Sequence, residues 1–127
     1  MVFRVKQPAG KGYLVVLYPR LKENDPAATF ARLNESAVKV ETPLATDYAF
    51  LNSFPLSYQD DRVQFEGTAA TVRFYKSGAI AVLNVEGTTT VKVAGKTITG
   101  NGAFSVTIAG GAVTKKTFGQ DAAVDVK

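Results

Sequence analysis

In this chain of 127 residues, five tyrosines, one pair of adjacent aspartates and an Arg-x-Tyr step are the groups with chemical potential. The chain has no His and no Cys. Without imidazole or thiolate, neither a Ser-His-Asp nor a Cys-His arrangement can be built, and the usual zinc ligands are missing. Acid–base work near neutral pH would fall to carboxylates, Lys or Tyr with strongly shifted pKa values. Asp60-Asp61, with Glu66 five residues on, has two readings. One is a calcium site or a pair of catalytic carboxylates. The other is a hairpin tip, because Asp favours turns and neighbours on a strand point apart. The second is preferred. Asp25, Asp47 and Asp121 are scattered, with no EF-hand spacing. No cofactor, no metal and no catalytic residue is therefore assigned.

The tyrosines also admit two roles. Aromatic faces stack on sugar rings, and sandwich domains use such surfaces for glycans. Tyr on a strand equally serves as a core or boundary residue with its hydroxyl at the rim. Tyr18 and Tyr58 adjoin turns, which favours exposure. Arg73 and Tyr75 fall on one face of a single strand, a spacing at which Tyr and Arg could abstract a proton, although a solvated sheet face is the plainer reading. Tyr18, Tyr58, Arg73 and Tyr75 are thus the candidate ligand-contacting residues. Gly95-Lys96-Thr97 has the closing letters of a phosphate loop without its upstream Gly, and a strand rather than a helix should follow, so it reads as a turn.

The elements that must position these groups are strands. Val72-Arg73-Phe74-Tyr75, Thr90-Val91-Lys92-Val93 and Phe104-Ser105-Val106-Thr107-Ile108 all alternate apolar and polar, the signature of a sheet with one dry and one wet face. Strands are expected at Val2–Lys6, Tyr13–Tyr18, Ala37–Thr42, Thr46–Leu51, Thr68–Tyr75, Ala79–Asn84, Thr88–Ala94, Thr97–Thr99, Ala103–Ile108 and Ala112–Phe118, with a hairpin of Leu56–Tyr58 and Arg62–Glu66 around Gln59-Asp60-Asp61 and a last alternation at Val124–Val126. Thr29–Leu33 fits a strand or a short helix. Asn52–Pro55 is expected to connect strands, and Gly67 and Gly100-Asn101-Gly102 to interrupt them. About a dozen short strands with Gly, Pro and Asn turns predict an all-β, two-layer antiparallel β-sandwich, of jelly-roll or supersandwich type, in one domain over 1–127.

Composition bounds the partners. A hydrophobic share of 46% and a charged share of 20% suit a soluble domain with a real core. The net charge of +4 comes from 15 basic and 11 acidic residues mixed along the chain, with no basic run longer than Lys115-Lys116. That pattern lacks the clustered patch of a nucleic-acid binder. No segment reaches the roughly 20 apolar residues of a membrane span, and no signal peptide is visible. A chain that opens within a strand reads as a piece of a larger protein.

Two stretches carry a resemblance. Tyr13-Leu14-Val15-Val16-Leu17-Tyr18-Pro19-Arg20 and Thr46-Asp47-Tyr48-Ala49-Phe50-Leu51, followed by Val63-Gln64-Phe65-Glu66-Gly67-Thr68-Ala69 and on to Arg73, are similar to the C-terminal β-sandwich of heparinase II/III-like polysaccharide lyases and related bacterial glycan-processing proteins. The matching motifs are core strand patterns. In such lyases the main catalytic groups lie largely on a separate α-helical toroid, so the resemblance implies an accessory domain and transfers no catalytic residue. It implies a secreted or periplasmic bacterial module that packs against other domains of its parent protein and contacts acidic polysaccharide. The alternatives are a stand-alone carbohydrate-binding module, a small enzyme using carboxylates or Tyr and Arg, and a purely structural surface domain.

Overall fold

A computed structural model of the protein describes residues 28–127. Ten strands and no helix are present among them: β1 (Thr29–Asn34), β2 (Ala37–Glu41), β3 (Ala45–Gln59), β4 (Val63–Tyr75), β5 (Ile80–Glu86), β6 (Thr88–Val93), β7 (Lys96–Asn101), β8 (Phe104–Ala109), β9 (Ala112–Thr117) and β10 (Ala123–Val126). Every pairing is antiparallel. The expected strands Val2–Lys6 and Tyr13–Tyr18 lie outside the described residues, as does Tyr18 itself.

The long β3–β4 hairpin is shared by two layers. Residues 45–51 of β3 and 69–75 of β4 sit in a first layer ordered β1-β2-β3-β4-β5-β8-β9. The other ends of the same two strands, with β6, β7 and β10, form the second layer. The ten strands are therefore one hydrogen-bonded sheet folded over on itself, a sandwich-like all-β body. The chain changes layer after β5, β7 and β9.

Three places differ from the sequence reading. Asn52–Pro55 is not a connection between strands but an irregular stretch within β3. Leu51 pairs with Ala69 and Leu56 with Gly67, so four residues of β3 oppose only Thr68. Such an excess bends a strand and tolerates Pro, which has no amide hydrogen to give a ladder. Gly67 likewise does not end β4. It lies where the ribbon bends, and a Cβ there would stand 2.7 Å from Thr89 Oγ1 and 3.0 Å from the Phe65 ring. Gly100 is also within a strand, β7, where a Cβ would meet the Phe104 ring at 2.5 Å and the Ala123 carbonyl at 2.6 Å. In all three places the glycine or proline serves a bend or a close approach, not a chain reversal.

Period-two alternation puts the dry faces together. Phe50 of the first layer stacks on Phe65 of the second, with ring centroids 4.2 Å apart and planes 6° from parallel. Tyr48, Val72, Val82, Val106 and Phe104 line the first layer's inner face, and Val63, Val91, Val93 and Ile98 the second's. Two polar side chains, Asn84 and Thr89, are buried among them as a bonded pair. Asn84 Nδ2 shares its hydrogens among the carbonyls of Glu86, Gly87 and Gly102, at 3.2, 3.1 and 2.8 Å, and its Oδ1 accepts from Thr89 Oγ1 at 2.6 Å. This side chain ties the β5–β6 and β7–β8 turns to the second layer, with every polar atom satisfied.

Candidate functional site

The first cluster sits at the β3–β4 turn. Asp60 Oδ1 accepts from the backbone N–H groups of Arg62 and Val63 at 2.8 and 2.9 Å, which closes the turn. Oδ2 accepts from the hydroxyls of Tyr48 and Tyr58 at 2.8 and 3.0 Å. Partial burial acts to raise this carboxyl, but the two amides and the two phenols outweigh it and hold it below its ordinary value of 3.8. Burial first, and then the bond to Asp60, push the Tyr58 hydroxyl up to about 12 and raise that of Tyr48 as well. Arg62 places its guanidinium 4.0 Å from the centre of the Phe74 ring. Tyr48 and Phe74 belong to the first layer, and Asp60 and Arg62 to the turn closing the second, so both contacts clamp one end of the sandwich. The aspartate pair is thus a hairpin tip. Asp60 has both oxygens occupied, and the two phenols keep their protons at neutral pH.

The second cluster lies on the outer face of the first layer. Asp47 and Arg73 are directly opposed in the β3–β4 ladder. Arg73 Nε and Nη2 donate to the two Asp47 oxygens at 2.6 and 2.9 Å, a bidentate pair. The guanidinium carbon is 5.5 Å from the centre of the Tyr75 ring. Asp47, and after it the Tyr75 hydroxyl, raise the Arg73 pKa, so this guanidinium stays charged and cannot act as a base. Tyr75 is 39% exposed.

Of the sequence candidates, Arg73 and Tyr75 are brought together, while Tyr58 is on the other side of the sheet. Its ring packs against Tyr48 and Phe50, at centroid distances of 6.2 and 5.5 Å, with the hydroxyl committed to Asp60. A turn-adjacent tyrosine is here a boundary residue of the core rather than an open platform.

A third feature was not visible in the sequence. A shallow polar depression of about 350 Å³ lies between the β3–β4 turn and the β6–β7 turn, lined by Gln59, Asp60, Asp61, Arg62, Gln64, Lys92, Lys96 and Thr97 among others. Gln59, Gln64, Lys92 and Thr97 form one cross-strand row on the second layer's outer face. The pairing of β4 with β6 assembles this row, and no local pattern reports that pairing. Among the described residues, no group of three or more acidic side chains could hold a metal ion. No helix there is long and apolar enough to cross a membrane.

Comparison with known proteins gives no match to a family model, to a curated protein or to a solved structure.

Proposed function

We propose that the chain is a non-catalytic accessory β-sandwich module of a secreted bacterial polysaccharide-processing protein, packing against a catalytic domain and contacting glycan. The resemblance of its strand motifs to the lyase sandwich suggests the setting. The observation that supports the packing role is the uneven distribution of exposed apolar side chains. Leu51, Leu83 and Val85, at 55, 44 and 58% exposure, lie with Tyr75 on the outer face of the first layer, and Phe54 stands 75% exposed beside them in the β3 irregularity. The second layer turns outward Gln64, Glu66, Lys92, Thr99 and Asp125, with no large apolar group among the described residues. Apolar surface gathered on one face suits burial against another protein surface.

A stand-alone carbohydrate-binding module calls for coplanar exposed tyrosines. Among the described tyrosines only Tyr75 is exposed, which favours the accessory reading.

The test is deletion of this module from its longer parent. The expected result is a less stable parent, or one that binds polysaccharide more weakly, with its catalytic groups still present. A parent with no catalytic domain would refute the proposal.

A further inference from the structure

We infer that the depression at the turn end of the second layer binds the acidic substituent, carboxylate or sulfate, of a polysaccharide chain laid across the sheet. The inference takes from the proposed function only that the ligand is polysaccharide. Three elements converge there: the β3–β4 turn with Asp61 and Arg62, the start of β4 with Gln64, and the β6–β7 hairpin with Lys92 and Lys96.

The charge favours an anion. The lining includes Arg62, Lys92 and Lys96 together with Asp60 and Asp61, three cations against two carboxylates. Both Asp60 oxygens are already saturated by four hydrogen bonds. Among the described residues, none of the three cations has a carboxylate within ion-pair distance. Their donors are therefore available to a ligand. Arg62 is also held in place by its stacking on Phe74, so less freedom is lost when it binds.

The remaining lining favours a sugar over a bare ion. Gln59 and Gln64 are directly opposed on β3 and β4, and Gln64 is opposed to Lys92, which is opposed to Thr97. Each primary amide carries two donors and an acceptor, suited to paired hydroxyls of a sugar ring. The volume falls at the lower end of ligand clefts, about 300–1,000 Å³, and the depression is open to solvent. An extended chain can thus cross it without an enclosed pocket. The neighbouring row carries Glu66 and Asp125, so the cationic character is confined to the turn end.

The experiment is an NMR titration of the whole chain with four probes: an oligogalacturonate, a heparin-derived oligosaccharide, a neutral cello-oligosaccharide and inorganic sulfate. The expected result is amide shifts confined to 59–64 and 92–97 with one or both acidic oligosaccharides. Which of the two responds separates carboxylate from sulfate recognition. The exposed Lys92→Gln substitution should weaken that binding about tenfold, as for loss of one charge-assisted hydrogen bond. Thermal unfolding of the variant should match that of the parent chain, which excludes misfolding as the cause. An equal response to the neutral probe, or sulfate binding as tightly as the oligosaccharides, would overturn the inference. Shifts around Arg73 and Tyr75 instead would overturn this site while leaving the glycan-contacting module intact. No response to any probe would overturn it and leave the packing role to the deletion test.

Discussion

The two outer faces of this sandwich arise from the same alternating backbone and differ in what they present to their surroundings. The first layer shows Leu51, Leu83, Val85 and Tyr75 together with the Asp47–Arg73 pair, whereas the second, among the described residues, shows no large apolar side chain and carries the cationic depression. Strand alternation decides only which residues face out. Which of them are apolar is a separate property of the sequence, and here it separates a face suited to protein contact from one suited to water and polar ligands. Both faces hang on one shared seam, the β3–β4 ribbon.

The largest effect should come from that seam, where a lesion damages both faces alike. Phe65→Ala removes the ring stacked on Phe50 and should cost about 3–5 kcal/mol in a chemical denaturation experiment. A loss confined to one layer, seen as protected amides surviving in the other, would mean that the layers fold separately. Next is the polar pin that joins the turns to the second layer. Asn84→Ala strands Thr89 Oγ1 and three carbonyls, and about 2–3 kcal/mol of stability should be lost in the same assay.

The clamp at the turn end should appear in the pH dependence. The Asp60 carboxyl is depressed in the folded state, so its contribution is present above its ordinary value of 3.8 and is lost as pH falls through the lower native value. The Tyr58 hydroxyl is raised, so its contribution is complete below its ordinary value of 10.0 and is lost as pH rises towards about 12. Stability should therefore decline at both extremes, and Asp60→Asn should flatten the acid limb. An unchanged acid limb in that variant, followed by thermal unfolding across pH, would remove Asp60 from this role. Tyr48→Phe should cost about 1–2 kcal/mol at neutral pH. The smallest effect belongs to the outer pair: Arg73→Ala should cost about 0.2–1 kcal/mol, since Arg73 is 48% exposed and water screens its pairing with Asp47.

Much of this fold was legible locally. The strands β2, β5, β6, β8 and β9 follow the alternation of their own residues, and the Asp60-Asp61 turn follows from Asp chemistry. The continuity of β3 through Pro55 and of β4 through Gly67 was not legible. A breaking residue and a bending residue are chemically identical until the partner strand is known. The same holds for Tyr58, whose exposure was decided by Tyr48, Phe50 and Asp60, and for Gln64 and Lys92, made neighbours only by the β4–β6 pairing. By contrast, the closeness of Arg73 and Tyr75 was readable, because both lie on one strand, though the opposing Asp47 was not.

The absence of cysteine in the chain makes the contrast between the two faces directly measurable. Leu83→Cys on the first layer and Thr99→Cys on the second would each supply a single thiol. Their labelling rates are to be compared in this chain and in the larger protein that the proposed function calls for. The thiol at position 83 is expected to be strongly protected in that larger protein, and the thiol at position 99 to react at the same rate in both. Equal rates at position 83, or protection at position 99 alone, would contradict the proposed packing role of the first layer.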